Sequence, residues 1–108
     1  MANGDGQFRA RIGDESADIT TTSSPDGDSG WHMIVVTRTS AGAITLYVDG
    51  AQERTGTSTV AVGSSHTLYI GRSFQPDSFT EYFDGAIDDV RVYDTVLSAG
   101  DVVRLYAL

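Results

Sequence analysis

Apolar residues recur at every second position along most of this chain, a period that side chains follow only on a pleated strand. Phe8, Ala10 and Ile12 alternate with Gln7, Arg9 and Arg11, and Ala17, Ile19 and Thr21 alternate with Asp18 and Thr20. Each run predicts a half-buried strand. Next comes Ser23-Ser24-Pro25-Asp26-Gly27-Asp28-Ser29-Gly30, a loop whose backbone is set by Pro and Gly. Trp31 to Thr37 is then apolar on both faces. That pattern predicts a central strand covered on two sides, or a strand facing a partner.

Ser40-Ala41-Gly42 predicts a turn, after which Ile44, Leu46 and Val48 take one face and Thr45, Tyr47 and Asp49 the other. Asp49-Gly50 is the sharpest local signal, because both central residues of a type I′ hairpin turn need positive φ. Ala51 to Thr55 is the returning arm, Thr57 to Val62 a weaker strand, and Thr67 to Gly71 another. A loop from Arg72 to Thr80 carries Phe74, Pro76 and Phe79. The closing strand is predicted from Tyr82 to Tyr93, with Ile87, Asp89, Arg91 and Tyr93 alternating against Asp88, Val90 and Val92. Gly85 there marks a bulge or a close approach. Only the tail leaves period two. Ser98 precedes Asp101 by three residues in the form of a capping box, and Val102, Val103, Leu105 and Tyr106 follow at helical spacing.

Short strands separated by turns and followed by one helix predict an all-β fold, an antiparallel β-sandwich with a short C-terminal helix. With no repeat or linker, residues 1–108 read as one domain, long enough to bury a core without metal or disulfide. Cysteine is absent, which excludes disulfides. The formal net charge is -8, and every basic residue is Arg. So acidic a chain repels phosphate backbones and anionic bilayers, which argues against nucleic-acid and membrane-surface partners. Abundant Asp with no Lys suggests a salt-rich milieu or a high-GC genome.

From Trp31 onward the chain resembles the laminin-G-like branch of the concanavalin A-like jelly rolls. Three pieces carry the likeness: Trp31-His32-Met33-Ile34-Val35-Val36-Thr37, Ile44-Thr45-Leu46-Tyr47-Val48-Asp49-Gly50, and Phe83 to Tyr93 (FDGAIDDVRVY) followed by Leu97-Ser98 and Leu105-Tyr106. They stand in order across roughly three quarters of the chain, and the likeness implies a shortened jelly roll. The family's opening strands, which would pair with the closing strand, have no counterpart here. Either Phe8 to Ile12 replaces them or the closing strand keeps an open edge, and such an edge is a template for pairing. A homo-oligomer, or a partner segment supplying the strands, is the expected consequence.

Glycan-cleaving jelly rolls place two acids on one strand, with carboxylates about 5 Å apart in the retaining arrangement. Glu15, Glu53 and Glu81 are isolated, and Asp26 and Asp28 sit in a Gly-rich loop. His32 and His66 are the only histidines, and nothing in the sequence sets a nucleophile beside either. No catalytic residue is therefore assigned. The resemblance implies a structural calcium at Asp88, which matches the Asp that opens the closing strand in jelly-roll relatives. Its remaining ligands would come from the opening strands, and one carboxylate alone binds calcium feebly. Arg72, Phe74, Asp77 and Tyr82, with Phe79 and Gln75 nearby, mark a loop where a sugar could stack, although Phe74 and Phe79 can equally plug the core's end. The expected function is a non-catalytic, lectin-like, glycan- or protein-binding module at a cell surface or outside the cell. The alternative is an assembly unit built through an open edge, with a glycan hydrolase a distant third.

Overall fold

A computed structural model of the protein describes residues 8–11, 18–20, 30–61, 69–71 and 82–108. Two antiparallel sheets and one helix organise them. Strands β1 (Arg9–Arg11) and β2 (Asp18–Thr20) form a ribbon with Ala10 opposite Ile19. Strands β3 (Ile34–Arg38), β4 (Ala43–Val48) and β5 (Ala51–Thr57) form a sheet in that order, with β4 central. Helix α1 spans Ala99–Tyr106.

The turns lie where the sequence puts them. The β3–β4 turn closes through Gly42 N–H to the Thr39 carbonyl at 2.9 Å, and through Ala43 N–H to the Thr39 hydroxyl at 3.0 Å. Gly42 has φ 93, and a Cβ built there would stand 2.0 Å from the Ser58 carbonyl oxygen. Asp49 and Gly50 take φ values of 51 and 83, so the β4–β5 connection has positive φ at both central positions, as a type I′ turn requires. Below it the register shifts between Leu46, opposite Arg54, and Tyr47, opposite Gln52, which leaves Glu53 as the extra residue of a bulge.

The core follows the alternation of β4. Ile44, Leu46 and Val48 are buried on one face, and Tyr47 is buried on the other. From α1, Val102 is fully buried. Each such side chain contributes about 1.5–3 kcal/mol on leaving water. Eight residues are too few for a stable isolated helix, so α1 depends on this packing and on its cap. The Ser98 side chain accepts from Asp101 N–H while Asp101 accepts from Ser98 N–H, completing the capping box. Tyr106 lies over Gly50, where a Cβ would meet the Tyr106 Cβ at 3.2 Å, so the helix end rests on the hairpin turn.

Several expectations are corrected. In the run Trp31–Thr37 pairing begins only at Ile34, and among the described residues β3 is a sheet edge with β4 on one side only. Thr57 ends β5, and Ser58 to Ala61 are irregular, because the Arg38 guanidinium takes the Ser58 and Val60 carbonyls at 3.2 and 3.0 Å in place of a strand partner. Tyr69 to Gly71 form no strand, and Thr67 and Leu68 lie outside the described residues. The largest difference is the closing strand. Tyr82 makes an isolated bridge, and Phe83 to Tyr93 have no strand structure. The physical reasons are a left-handed Asp89, with φ 54, which breaks the pleat, and the lack of a strand partner among the described residues, where β1 pairs with β2. The close approach at Gly85 is real but comes from a side chain, since a Cβ there would lie 2.9 Å from the Phe83 ring.

Candidate functional site

Two motifs far apart in sequence meet at one end of the sheet. Because Asp49 occupies the hairpin turn, its carboxylate reaches back across β4 to the residues that lead into β3. Its Oδ1 accepts the Met33 N–H at 2.9 Å, and its Oδ2 stands 2.7 Å from His32 Nδ1. Asp49 N–H in turn donates to the Met33 carbonyl at 2.9 Å. These bonds fix the path of the chain at Trp31 and His32, and Trp31 emerges with 70% of its surface exposed.

Trp31 stands on the wall of an open groove of about 740 Å³. Phe8, Gly30, Trp31, His32 and Ile34 line one part of it, Tyr69 and Gly71 another, and Phe83 to Arg91 the remainder. The last wall is anchored by Phe83 N–H, which donates to the Gly71 carbonyl at 2.8 Å. Beyond that anchor the wall exposes apolar side chains among its carboxylates: Ile87 is 48% exposed and Val90 52%. Arg91 forks onto Asp89, with Nε 2.9 Å from Oδ1 and Nη2 3.0 Å from Oδ2. That bond, and then one that Arg91 donates to the Tyr93 oxygen, hold the Arg91 proton more firmly than usual.

His32 and Asp49 could serve as base and orienting acid, but the only hydroxyl among the described lining residues is the Tyr69 phenol. Asp49 also spends its second oxygen on a backbone N–H. Asp88 and Asp89 are adjacent, and Asp89 is committed to Arg91, so the pair does not have the acid-and-nucleophile layout of a glycosidase.

Of the binding residues expected from sequence, Tyr82 is described and 66% exposed. Arg72, Phe74 and Asp77, with Gln75 and Phe79, lie outside the described residues. Asp88 is exposed, and its Oδ1 accepts the Asp89 N–H at 2.7 Å. Calcium takes six or more oxygens. Among the described residues no group of three carboxylates or histidines comes together, so those residues alone do not fit the ion. Sequence reasoning missed Trp31, Ile87 and Val90, which it placed inside strands. Trp31, the chain's one tryptophan, beside a His is a signal that could have drawn attention to them.

A family profile described as the concanavalin A-like lectin/glucanases superfamily, of laminin-G type, matches residues 1–103. Among solved structures the chain is similar to an S-layer domain-containing protein (residues 221–444) from Clostridium thermocellum, with 31% identity and a TM-score of 0.65. The match covers 82% of this chain and 44% of that one. No curated protein matches the sequence.

Proposed function

The chain belongs to the laminin-G-like family of the concanavalin A-like superfamily, and on that footing we propose that it is a non-catalytic binding module whose ligand, a glycan or a protein, occupies the groove beside Trp31. One observation carries this reading: an indole that is 70% exposed lines an open groove that half-exposed Ile87 and Val90 also line. Aromatic faces and aliphatic side chains of this kind anchor ligands, and carboxylates at the rim fix their orientation. The loop with Arg72, Phe74 and Asp77, together with Tyr82, is proposed as a second contact. A place at the cell surface or outside the cell is in keeping with the S-layer domain-containing relative.

A glycan array with wild type, Trp31→Ala and Tyr82→Ala tests the reading. Binding lost in Trp31→Ala supports the groove, and binding unchanged in Trp31→Ala removes it. The same array with a chelator tests Asp88: lost binding would mark a calcium that draws further ligands from elsewhere, and unchanged binding would retire it.

A second reading, an assembly unit, draws support from Val92, Tyr93 and Val96, exposed by 79%, 45% and 51% on a stretch without strand partners. Light scattering across concentrations decides it: a constant monomer mass excludes assembly.

A further inference from the structure

One wall of the groove exposes main chain that has no main-chain partner among the described residues. From Asp84 to Leu97 no backbone N–H or C=O pairs with another backbone group among the described residues. Opposite, β3 is a sheet edge, with β4 as its only neighbour among the described strands. Unpaired amides and carbonyls beside apolar side chains are what an added strand satisfies. A glycan would leave most of them to water.

Charge selects among strands. Asp84, Asp88 and Asp89 stand on one wall, and the only Arg there, Arg91, is already paired with Asp89. The wall is left acidic, and the whole chain carries -8, which disfavours a second copy as occupant.

We propose that this groove binds an extended polypeptide strand of alternating apolar residues bearing Lys or Arg, which pairs with the exposed main chain of residues 84–93. The proposal rests on the binding-module reading and names its partner. Trp31 is the only tryptophan, so its emission reports occupancy directly.

The test titrates the full chain with three synthetic nine-residue peptides. One alternates Val and Thr between Lys ends, one has Glu ends, and one has Lys ends with alternate backbone nitrogens methylated. The expected result is a blue shift of Trp31 emission with the Lys peptide, binding weaker by about tenfold or more with each of the other two, and slowed amide exchange over residues 84–93. Val90→Asp, at an exposed position, is expected to keep the melting temperature and to shift the charge preference further toward the Lys peptide while weakening apolar contact. Equal binding of the Glu or the methylated peptide overturns the proposal. So does a doubled solution mass with amides 84–93 protected in the absence of peptide, which makes a second copy the occupant. Glycan binding without peptide binding overturns the strand but leaves the binding module standing. No response of Trp31 to either class overturns both.

Discussion

Nδ1 of His32 stands 2.7 Å from Oδ2 of Asp49, the residue that also turns the β4–β5 hairpin. One side chain thus sets the turn and holds His32 and Met33, the residues that follow Trp31 into β3. The two jobs of Asp49 can be separated. Asp49→Gly keeps the positive φ but removes the carboxylate, leaving the part-buried Met33 N–H without its acceptor at a cost of about 1–3 kcal/mol. Asp49→Ala adds left-handed strain, about 1 kcal/mol more. Urea unfolding of the two variants measures both. Equal stability in Asp49→Gly and wild type would show the carboxylate to be idle.

Two glycines should respond in opposite directions to the same substitution. At Gly42 a Cβ would meet the Ser58 carbonyl oxygen at 2.0 Å with φ 93, so Gly42→Ala should cost about 2 kcal/mol or more. At Gly100, inside α1, the nearest atoms are 3.6 Å and 3.8 Å away, and Gly100→Ala should stabilise by about 0.5–1 kcal/mol. Thermal melts of the pair check both signs.

The cap of α1 gives a pH signature. The Asp101 carboxyl is held below its ordinary 3.8, chiefly by the Ser98 backbone N–H and then by the Ser98 hydroxyl. A lowered folded value stabilises the protein above the unfolded pKa, and the gain is lost as pH falls through the folded value. The stability gap between wild type and Asp101→Asn should therefore be constant near neutrality and close in acid below 3.8. A gap that widens in acid would contradict the assignment. Ser98→Ala should cost about 1 kcal/mol at neutral pH.

Burial separates β4 from the closing segment. Leu46 is fully buried, and Leu46→Ala should cost about 3 kcal/mol. Val92 is 79% exposed, and Val92→Thr should change stability by less than about 0.5 kcal/mol. A loss comparable to that of Leu46→Ala would place Val92 in a packed strand.

The features legible in the sequence are those determined by neighbouring residues. Asp49-Gly50 demanded positive φ, Ser98 and Asp101 formed their capping box, and Ile44, Leu46 and Val48 shared a face as their spacing required. Tyr82 to Tyr93 reads as a strand because alternation states which face each side chain would take once paired, and is silent on whether a partner exists. Asp89 compounded this, since period-two reasoning weighs neither its left-handed φ nor its local bond to Arg91. Trp31 was hidden for a similar reason: an apolar run looks the same whether its first residue is buried or left at a groove. The likeness to laminin-G domains rests on stretches of sequence, whereas the contact of His32 with Asp49 exists only in the folded chain.

The openness of the groove wall is tested most directly by amide hydrogen exchange on the free, monomeric protein. Amides of residues 84–93 should exchange near the rate of an unstructured peptide while those of β4 are protected. Slow exchange across residues 84–93 in the monomer would mean that this wall is already paired and cannot receive a strand.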